Sequence, residues 1–224
     1  SENGSNDVAR KMDHGRGSSS SRKESMKKAL LFYAKQRFSE MKSTHEEQCT
    51  GPNSASSTHL AAPISPTPNL IIESFLPRLD LESDSLLVDL GCGDGRWLIA
   101  ANKLTGCRCL GIDVDEERLE IAQESISKNE LDALVSIRRE DVFDFVRESD
   151  DMNEADVIVL YLFREAMSEM GKLLRRRLLT RGRKDANVKP KRVQIMSVGF
   201  ALTGWASIYE EKINGIRVYL YSTR

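Results

Sequence analysis

Short apolar runs alternate with segments of helical periodicity over most of this chain. Five runs have the composition of strands that are buried on both faces, as in a parallel sheet. These runs are residues 86–89, 108–113, 133–137, 156–163 and 192–198. Between two of them, Leu119, Ala122 and Ile126 form an apolar stripe at helical spacing. The alternation of strand and helix predicts an α/β domain built on a doubly wound, mostly parallel sheet.

The carboxyl-terminal segment has a different pattern, in which polar and apolar residues alternate. Residues 205–211 and 216–221 flank Asn214-Gly215, a dipeptide typical of two-residue hairpin turns. We therefore expect an antiparallel hairpin at the end of the sheet, with Trp205 in the core.

Capping residues and charge predict further boundaries. Thr67 is predicted to cap a helix with Pro68 in its first position, and Asp115 to cap the helix that carries Leu119. Apolar residues at 167, 170, 174 and 178 predict the buried face of a helix after the fourth strand. From residue 172 to 192 the chain is densely basic, with Asp185 as the single acid, and we interpret this stretch as a mobile surface loop.

The amino-terminal part lacks the pattern of the α/β domain. Residues 1–22 are rich in Ser, Gly, Asn and charges, and are predicted to be disordered. Residues 23–64 are predicted to be a helix over 23–42 followed by a linker. The apolar stripe of that helix favours docking on the domain, while its basic residues leave open a partner or membrane-surface helix. The α/β domain is predicted to occupy residues 65–224.

Composition narrows the class of protein. The chain has 224 residues, 33 Lys and Arg against 34 Asp and Glu, three His and four Cys. No apolar run has the length needed to cross a bilayer. The histidines all precede residue 60 and the cysteines suggest no disulfide framework, so we expect no metal site and a reducing compartment. The cytoplasm is the expected location, with the mitochondrion as the alternative.

A glycine-rich turn follows the first predicted strand. It reads Asp89-Leu-Gly-Cys-Gly-Asp-Gly, with Gly91, Gly93 and Gly95 at every second position. A dinucleotide fingerprint would need a third glycine where Arg96 stands, and the Gly-Lys-Ser/Thr of a phosphate loop is absent. A strand, a glycine turn and a helix together place a ligand over the carboxyl end of a sheet. Carboxylates around such a turn favour a ligand that carries positive charge.

Polar residues close the next three strands as well. Asp113 ends the second strand, Asp141-Val142 follows the third, and Tyr161 lies in the fourth. Four such motifs in this order resemble those of class I S-adenosylmethionine-dependent methyltransferases. The resemblance implies S-adenosylmethionine as cofactor, Asp113 on its ribose, and Asp141 near its adenine. The cofactor-binding residues that it implies are Thr67, Asp89, Gly91, Gly93, Asp113, Asp141, Val142 and Tyr161.

Further motifs resemble a smaller group of these enzymes. They are Pro66-Thr67-Pro68, Tyr161-Leu162-Phe163 with Glu165, and the stretch from Phe200 to Trp205. The group contains the mitochondrial lysine methyltransferases that act on the adenine nucleotide translocase and on the ATP synthase c-subunit, together with bacterial relatives. The resemblance covers roughly residues 65–224 and implies a protein-lysine N-methyltransferase with Tyr161 and Glu165 as catalytic residues. The chain departs from the mitochondrial members by its basic stretch and by lacking a hydrophobic targeting segment.

Other acceptors remain compatible with these motifs. Methylation of base amino groups normally uses Asn/Asp-Pro-Pro-aromatic after the fourth strand, where this chain has Leu160-Tyr161-Leu162-Phe163. We therefore expect a protein substrate, and nucleic acid is the less favoured partner. An RNA or small-molecule methyltransferase, or a non-catalytic scaffold with the same fold, are the alternatives. The sequence leaves the oligomeric state undetermined.

Overall fold

The computed structural model describes residues 66–179 and 191–223 of the chain. The predicted disordered tail (1–22) and the predicted helix and linker (23–64) lie outside the described residues. So does most of the basic stretch, of which residues 180–190 are not described.

A seven-stranded sheet forms the centre of the domain. Its strands are β1 (Leu86–Leu90), β2 (Arg108–Asp113), β3 (Val135–Arg139), β4 (Val157–Leu160), β5 (Gln194–Val198), β6 (Tyr209–Ile213) and β7 (Ile216–Ser222). The spatial order is β3-β2-β1-β4-β5-β7-β6. Strands β1 to β5 pair in parallel, and β7 pairs antiparallel with both β5 and β6. The predicted mostly parallel sheet with a carboxyl-terminal hairpin is confirmed.

Helices cover both faces of this sheet. They are α1 (Asn69–Phe75, continued by a 3-10 turn, Leu76–Arg78), α2 (Arg96–Thr105), α3 (Glu116–Lys128), α4 (Val142–Glu148), α5 (Asp151–Glu154) and α6 (Arg164–Leu179). Alternate strand residues point to opposite faces and enter two separate hydrophobic clusters. Leu87 belongs to the cluster under α1, α2 and α3, whereas Leu86 and Val88 belong to the cluster under α4, α5 and α6.

The hairpin and the buried helix faces agree with the sequence pattern. Asn214 and Gly215 have φ of 49° and 84°, as a two-residue hairpin turn between right-twisted strands requires. The predicted stripe of α3 and the apolar residues at 167, 170, 174 and 178 of α6 are buried. Trp205 is half-buried and packs against the cluster under α6.

Several predicted boundaries are wrong. Strand β3 begins two residues later than expected and continues through Arg138 and Arg139, because an edge strand exposes alternate residues and carries charge. Strand β4 ends at Leu160, so residues 161–163 form the turn into α6 instead of extending the strand. The basic stretch is not a loop throughout: residues 172–179 belong to α6, whose apolar periodicity runs on beneath the arginines.

The predicted cap at Thr67 is also wrong. Helix α1 begins at Asn69 with Pro68 in the capping position, and no side chain caps it. Thr67 is instead buried, and its backbone carbonyl accepts a hydrogen bond of 2.9 Å from Arg96. The predicted cap of α3 is confirmed, since the Asp115 carboxylate accepts from the backbone N–H of Arg118.

Gly111 in β2 brings the glycine turn and helix α2 close to the sheet. A Cβ at this position would lie 2.6 Å from Leu98 Cδ1 and 2.7 Å from Cys92 Sγ, so the strand and the turn pack with no room for a methyl group. We expect Gly111→Ala to lower the free energy of unfolding by about 1–3 kcal/mol, because overpacking forces the backbone apart. Urea unfolding followed by circular dichroism measures this loss.

The double variant Gly111→Ala/Cys92→Ala supplies the control, because it removes the sulfur that a new methyl group would overlap. Part of the lost stability should return, whereas additive losses in the double variant would contradict the packing argument.

Candidate active site

The turn between β1 and α2 lies at the point where the strand order reverses, beside the carboxyl ends of β1 and β4. Crevices for ligands form at this place in open α/β sheets. Gly91, Gly93 and Gly95 have φ of 89°, 52° and 75°, a region that residues with a Cβ rarely adopt. The N–H groups of Gly91 and Cys92 donate to the carbonyl of Ile112, at 2.8 Å and 3.1 Å. The turn is thereby held across the end of β2.

Asp113 joins this glycine turn to the start of α3. Its side chain is 8% exposed. Its Oδ2 accepts from the N–H of Gly93 at 2.8 Å, and its Oδ1 accepts from the N–H of Asp115 at 3.0 Å. A single carboxylate therefore organises two backbone segments at the carboxyl edge of the sheet.

Asp89 adds a second buried carboxylate on the same face of the sheet, opposite Gly111 in the β1–β2 register. It is 3% exposed, and no ion pair of the described residues includes it. Burial, followed by the negative charges of Asp113 and Asp94, raises the pKa of Asp89 well above its usual range. Burial, followed by the negative charges of Asp89 and Asp113, raises the pKa of Cys92 as well. The negative charges around the glycine turn therefore favour a positively charged ligand.

Arg96 connects the glycine turn to the chain that enters α1. Its Nη2 lies 2.6 Å from Asp94 Oδ2, and its Nη1 donates to the carbonyl of Thr67 at 2.9 Å. Burial by itself raises the pKa of Asp94, but the hydrogen bonds and the charge of Arg96 outweigh it and lower that pKa. No contact of Arg96 was predicted from the sequence. The sequence did contain one indication of its contact with Asp94, since Arg96 follows that acid by two residues.

Asp141 and Val142 lie at the end of β3, where α4 begins. The Asp141 side chain is exposed, and its Oδ1 accepts from the N–H groups of Phe143 and Asp144 at 2.8 Å and 3.2 Å. Val142 is buried against the cluster on the α4 face. The structure thus places both residues at the same sheet edge as the glycine turn, with Asp141 also serving as a helix cap.

Tyr161 and Glu165 differ in their surroundings. Tyr161 follows β4, which pairs with β1 through Leu90 and Leu160, so it lies beside the glycine turn. Its ring is half-buried, and a Cβ on Gly199 would lie 3.2 Å from its Cε2. Glu165 is exposed in the first turn of α6. The structure places Tyr161 beside the glycine turn and leaves the Glu165 carboxylate in solvent.

Two further properties of the described residues bear on the kind of site. Within residues 66–179 and 191–223, no group of three His, Cys, Asp or Glu side chains is placed to hold a metal ion. The helices in the same part of the chain are all too short or too polar to cross a membrane.

Known proteins resemble the chain both in structure and in sequence. An RNA methyltransferase from Salinibacter ruber, solved in complex with S-adenosyl-L-homocysteine, superposes with a TM-score of 0.60 and 27% identity, over 70% of this chain and 93% of that one. A protein-lysine N-methyltransferase from Saccharolobus islandicus is 28% identical over 144 residues, which are 64% of this chain and 80% of that protein. The ribosomal protein L11 methyltransferase of Thermotoga maritima is 38% identical over 68 residues, only 26% of its length.

The seven-stranded sheet, the glycine turn at its switch point and these similarities define the class of protein. The chain is an S-adenosylmethionine-dependent methyltransferase. The model of the ANTKMT methyltransferase domain matches residues 89–208, and the chain belongs to this family. The resemblance found in the sequence is confirmed at the level of enzyme class, cofactor and family.

Proposed function

We propose that this enzyme is a protein-lysine N-methyltransferase. The observation that carries the proposal is the position of Tyr161, whose half-buried ring lies at the end of β4 where a nucleobase enzyme would have its Pro-Pro-aromatic motif. The similarity to a protein-lysine N-methyltransferase over 80% of that protein's length supports it. The similarity to a solved RNA methyltransferase makes RNA the second candidate acceptor.

The residues around the glycine turn fit S-adenosylmethionine. Its ammonium and sulfonium suit the buried carboxylate of Asp89, and glycines with positive φ allow the backbone to approach a ligand closely. When bound, S-adenosylmethionine supplies a methyl group that its sulfonium has already activated. We assign to its binding the eight residues Thr67, Asp89, Gly91, Gly93, Asp113, Asp141, Val142 and Tyr161. Asp113 would hold the ribose, and Asp141 with Val142 would hold the adenine.

The remaining task of the protein is to orient the acceptor amine and to exclude water. A lysine amine must also lose its proton, which costs roughly 4–5 kcal/mol at neutral pH from an ordinary pKa of about 10.4. A half-buried site lowers that cost, because removal from water disfavours the ammonium. We assign the Tyr161 hydroxyl to orienting the amine. Glu165, exposed in the first turn of α6, would accept the released proton and pass it to solvent.

Labelling tests the acceptor directly. The enzyme is incubated with methyl-labelled S-adenosylmethionine and a lysate depleted of endogenous methylation, and the product is then divided between nuclease and protease. Protease-sensitive label that mass spectrometry places on lysine supports the proposal. Label that only nuclease releases would replace it with RNA methylation.

Tyr161→Phe is expected to lower kcat about two- to tenfold while leaving the affinity for S-adenosylmethionine nearly unchanged, because phenylalanine keeps the ring that would contact the cofactor and loses only the hydroxyl. A hydrogen bond from a neutral hydroxyl is worth about 0.5–1.5 kcal/mol, and here it would act mainly in the transition state. Steady-state kinetics together with calorimetric titration of the cofactor measure the two quantities. Tyr209→Phe, on the far edge strand β6, is the matched control. Full activity of Tyr161→Phe would remove Tyr161 from the catalytic residues.

A further inference from the structure

Residues 199–208 cross back along helix α6. Strand β5 and strand β6 run in the same direction, since both pair antiparallel with β7. The connection between them therefore starts at the carboxyl edge of the sheet, where Tyr161 lies, and returns to the opposite edge. Phe200 lies against Arg164 in the first turn of α6, and Trp205 lies against Gly171 and Arg175 further along the helix.

This crossover is fixed along its length. The indole N–H of Trp205 donates to the carbonyl of Gly171 at 2.9 Å, and the N–H of Leu202 donates to the hydroxyl of Tyr221 at 2.7 Å. A Cβ on Gly171 would overlap the carbonyl oxygen of Thr203, so the crossover touches the helix backbone there. Residues 199–208 are therefore held firmly against helix α6.

Two arginines lie on aromatic rings of this crossover. The guanidinium carbon of Arg164 is 5.0 Å from the centre of the Phe200 ring, and that of Arg175 is 5.8 Å from the centre of the Trp205 ring. Both side chains are exposed, and Arg175 also donates to the carbonyl of Gly204. They are eleven positions apart on α6, which places them on one helix face about 16 Å apart. We call these two pairs the arginine seam.

The seam differs from the rest of the surface in its charge pairing. Ten other arginines of the described residues form ion pairs with acids: Arg78, Arg96, Arg108, Arg118, Arg138, Arg139, Arg147, Arg177, Arg192 and Arg217. Within residues 66–179 and 191–223, no acid pairs with Arg164 or Arg175. The aromatic rings hold the two arginines in place, and the N–H groups other than the one that Arg175 donates to Gly204 can face a ligand.

We propose that the arginine seam binds an acidic segment of the protein substrate next to the acceptor lysine, an inference that rests on the proposed function. Arg164 lies three residues after Tyr161, so it meets an acid close to the lysine. Arg175 lies about 16 Å further, a distance that an extended peptide covers in about five residues. The favoured substrate therefore carries one Asp or Glu near the lysine and a second about five positions beyond it.

Carboxylates fit this surface better than single-stranded RNA does. A guanidinium presents a planar fork of donors that matches a carboxylate. Binding of single strands relies on bases that stack on free aromatic faces, whereas here each ring already carries an arginine on one face.

Peptides with one central lysine test the inference. One peptide carries Glu at both predicted positions, a second carries Gln there, and a third carries Arg. For the wild-type enzyme we expect kcat/KM to be at least about fivefold higher with Glu than with Gln, and lowest with Arg. Arg164→Glu should abolish or reverse this order, with unchanged affinity for S-adenosylmethionine, and Arg164→Gln should weaken it, because Arg175 still meets the second acid. Lys128→Glu on α3 is the control for a charge change elsewhere, and should keep the wild-type order.

The outcomes separate the two proposals. If wild-type enzyme methylates all three peptides equally, or if Arg164→Glu still prefers the Glu peptide, the seam is not a substrate site although lysine methylation stands. If only RNA or a small molecule accepts the methyl group, both proposals fail. A single-stranded RNA that binds the wild type more tightly than the Glu peptide, and loses that binding in Arg164→Glu, would assign the seam to nucleic acid.

Discussion

Asp113→Ala is expected to weaken the binding of S-adenosylmethionine at least tenfold. The carboxylate is proposed to hold the ribose, and loss of a hydrogen bond to a charged group costs roughly 1.5–3 kcal/mol. The structure adds a second cause, because the same carboxylate holds the N–H groups of Gly93 and Asp115. Without it the glycine turn loses one of its ties to β2, so the melting temperature should fall together with the affinity. Calorimetric titration and thermal unfolding measure the two losses.

Asp113→Asn separates these two causes. Its amide oxygen can still accept from one backbone N–H, so we expect most of the stability to return while the affinity for cofactor remains low. If Asp113→Ala binds S-adenosylmethionine as tightly as the wild type, the cofactor does not lie on the β2 edge of the turn.

Asp89→Asn is expected to change stability and binding in opposite directions. The wild-type carboxylate is buried among like charges, and its pKa is raised, by burial first and then by Asp113 and Asp94. Replacing it with a neutral group of the same shape should raise the melting temperature of the cofactor-free protein at neutral pH, by roughly 2–4 °C for each kcal/mol gained. The same change removes a negative charge that is proposed to face the ammonium and sulfonium of S-adenosylmethionine. Affinity for S-adenosylmethionine should therefore fall about tenfold.

The pH dependence follows from the direction of that pKa shift. A carboxyl group whose pKa is higher in the folded than in the unfolded chain contributes stability that is fully present below its ordinary value of about 3.9. That contribution is lost as the pH rises through the folded-state pKa. The stability advantage of Asp89→Asn over wild type should therefore be near zero at acid pH and grow as the pH rises. An advantage that is constant across pH, or largest in acid, would contradict this account.

The order of strands and helices was predictable because a parallel sheet buries both faces of its strands. Leu86 to Val88 and the run at 157–160 are apolar without interruption for that reason. The prediction was less accurate at β3, where an edge strand alternates and ends in two arginines. The apolar period of α6 was recognised as far as residue 178, but the basic charge of residues 172–192 led to their interpretation as a loop, which is wrong for residues 172–179.

The residues of the candidate site were predictable where they lie next to a strand end. Asp89, Asp113 and Tyr161 each end or follow an apolar run, and parallel strands bring their carboxyl ends to one edge. Contacts between distant parts of the chain left no such pattern. The bond between Arg96 and the Thr67 carbonyl spans 29 residues, and Arg164 meets Phe200 only because the crossover returns along α6. Neither follows from local spacing.

The clasp formed by Arg96 has a mechanical consequence. One guanidinium grips both Asp94, inside the glycine turn, and the carbonyl of Thr67, immediately before α1. The glycine turn therefore cannot shift without displacing the segment around Thr67. A displacement of that segment is likewise transmitted to the turn. By thermodynamic reciprocity, whatever steadies one of these segments steadies the other by the same free energy. The segment around Thr67 and the glycine turn are therefore expected to move together, because Arg96 links them.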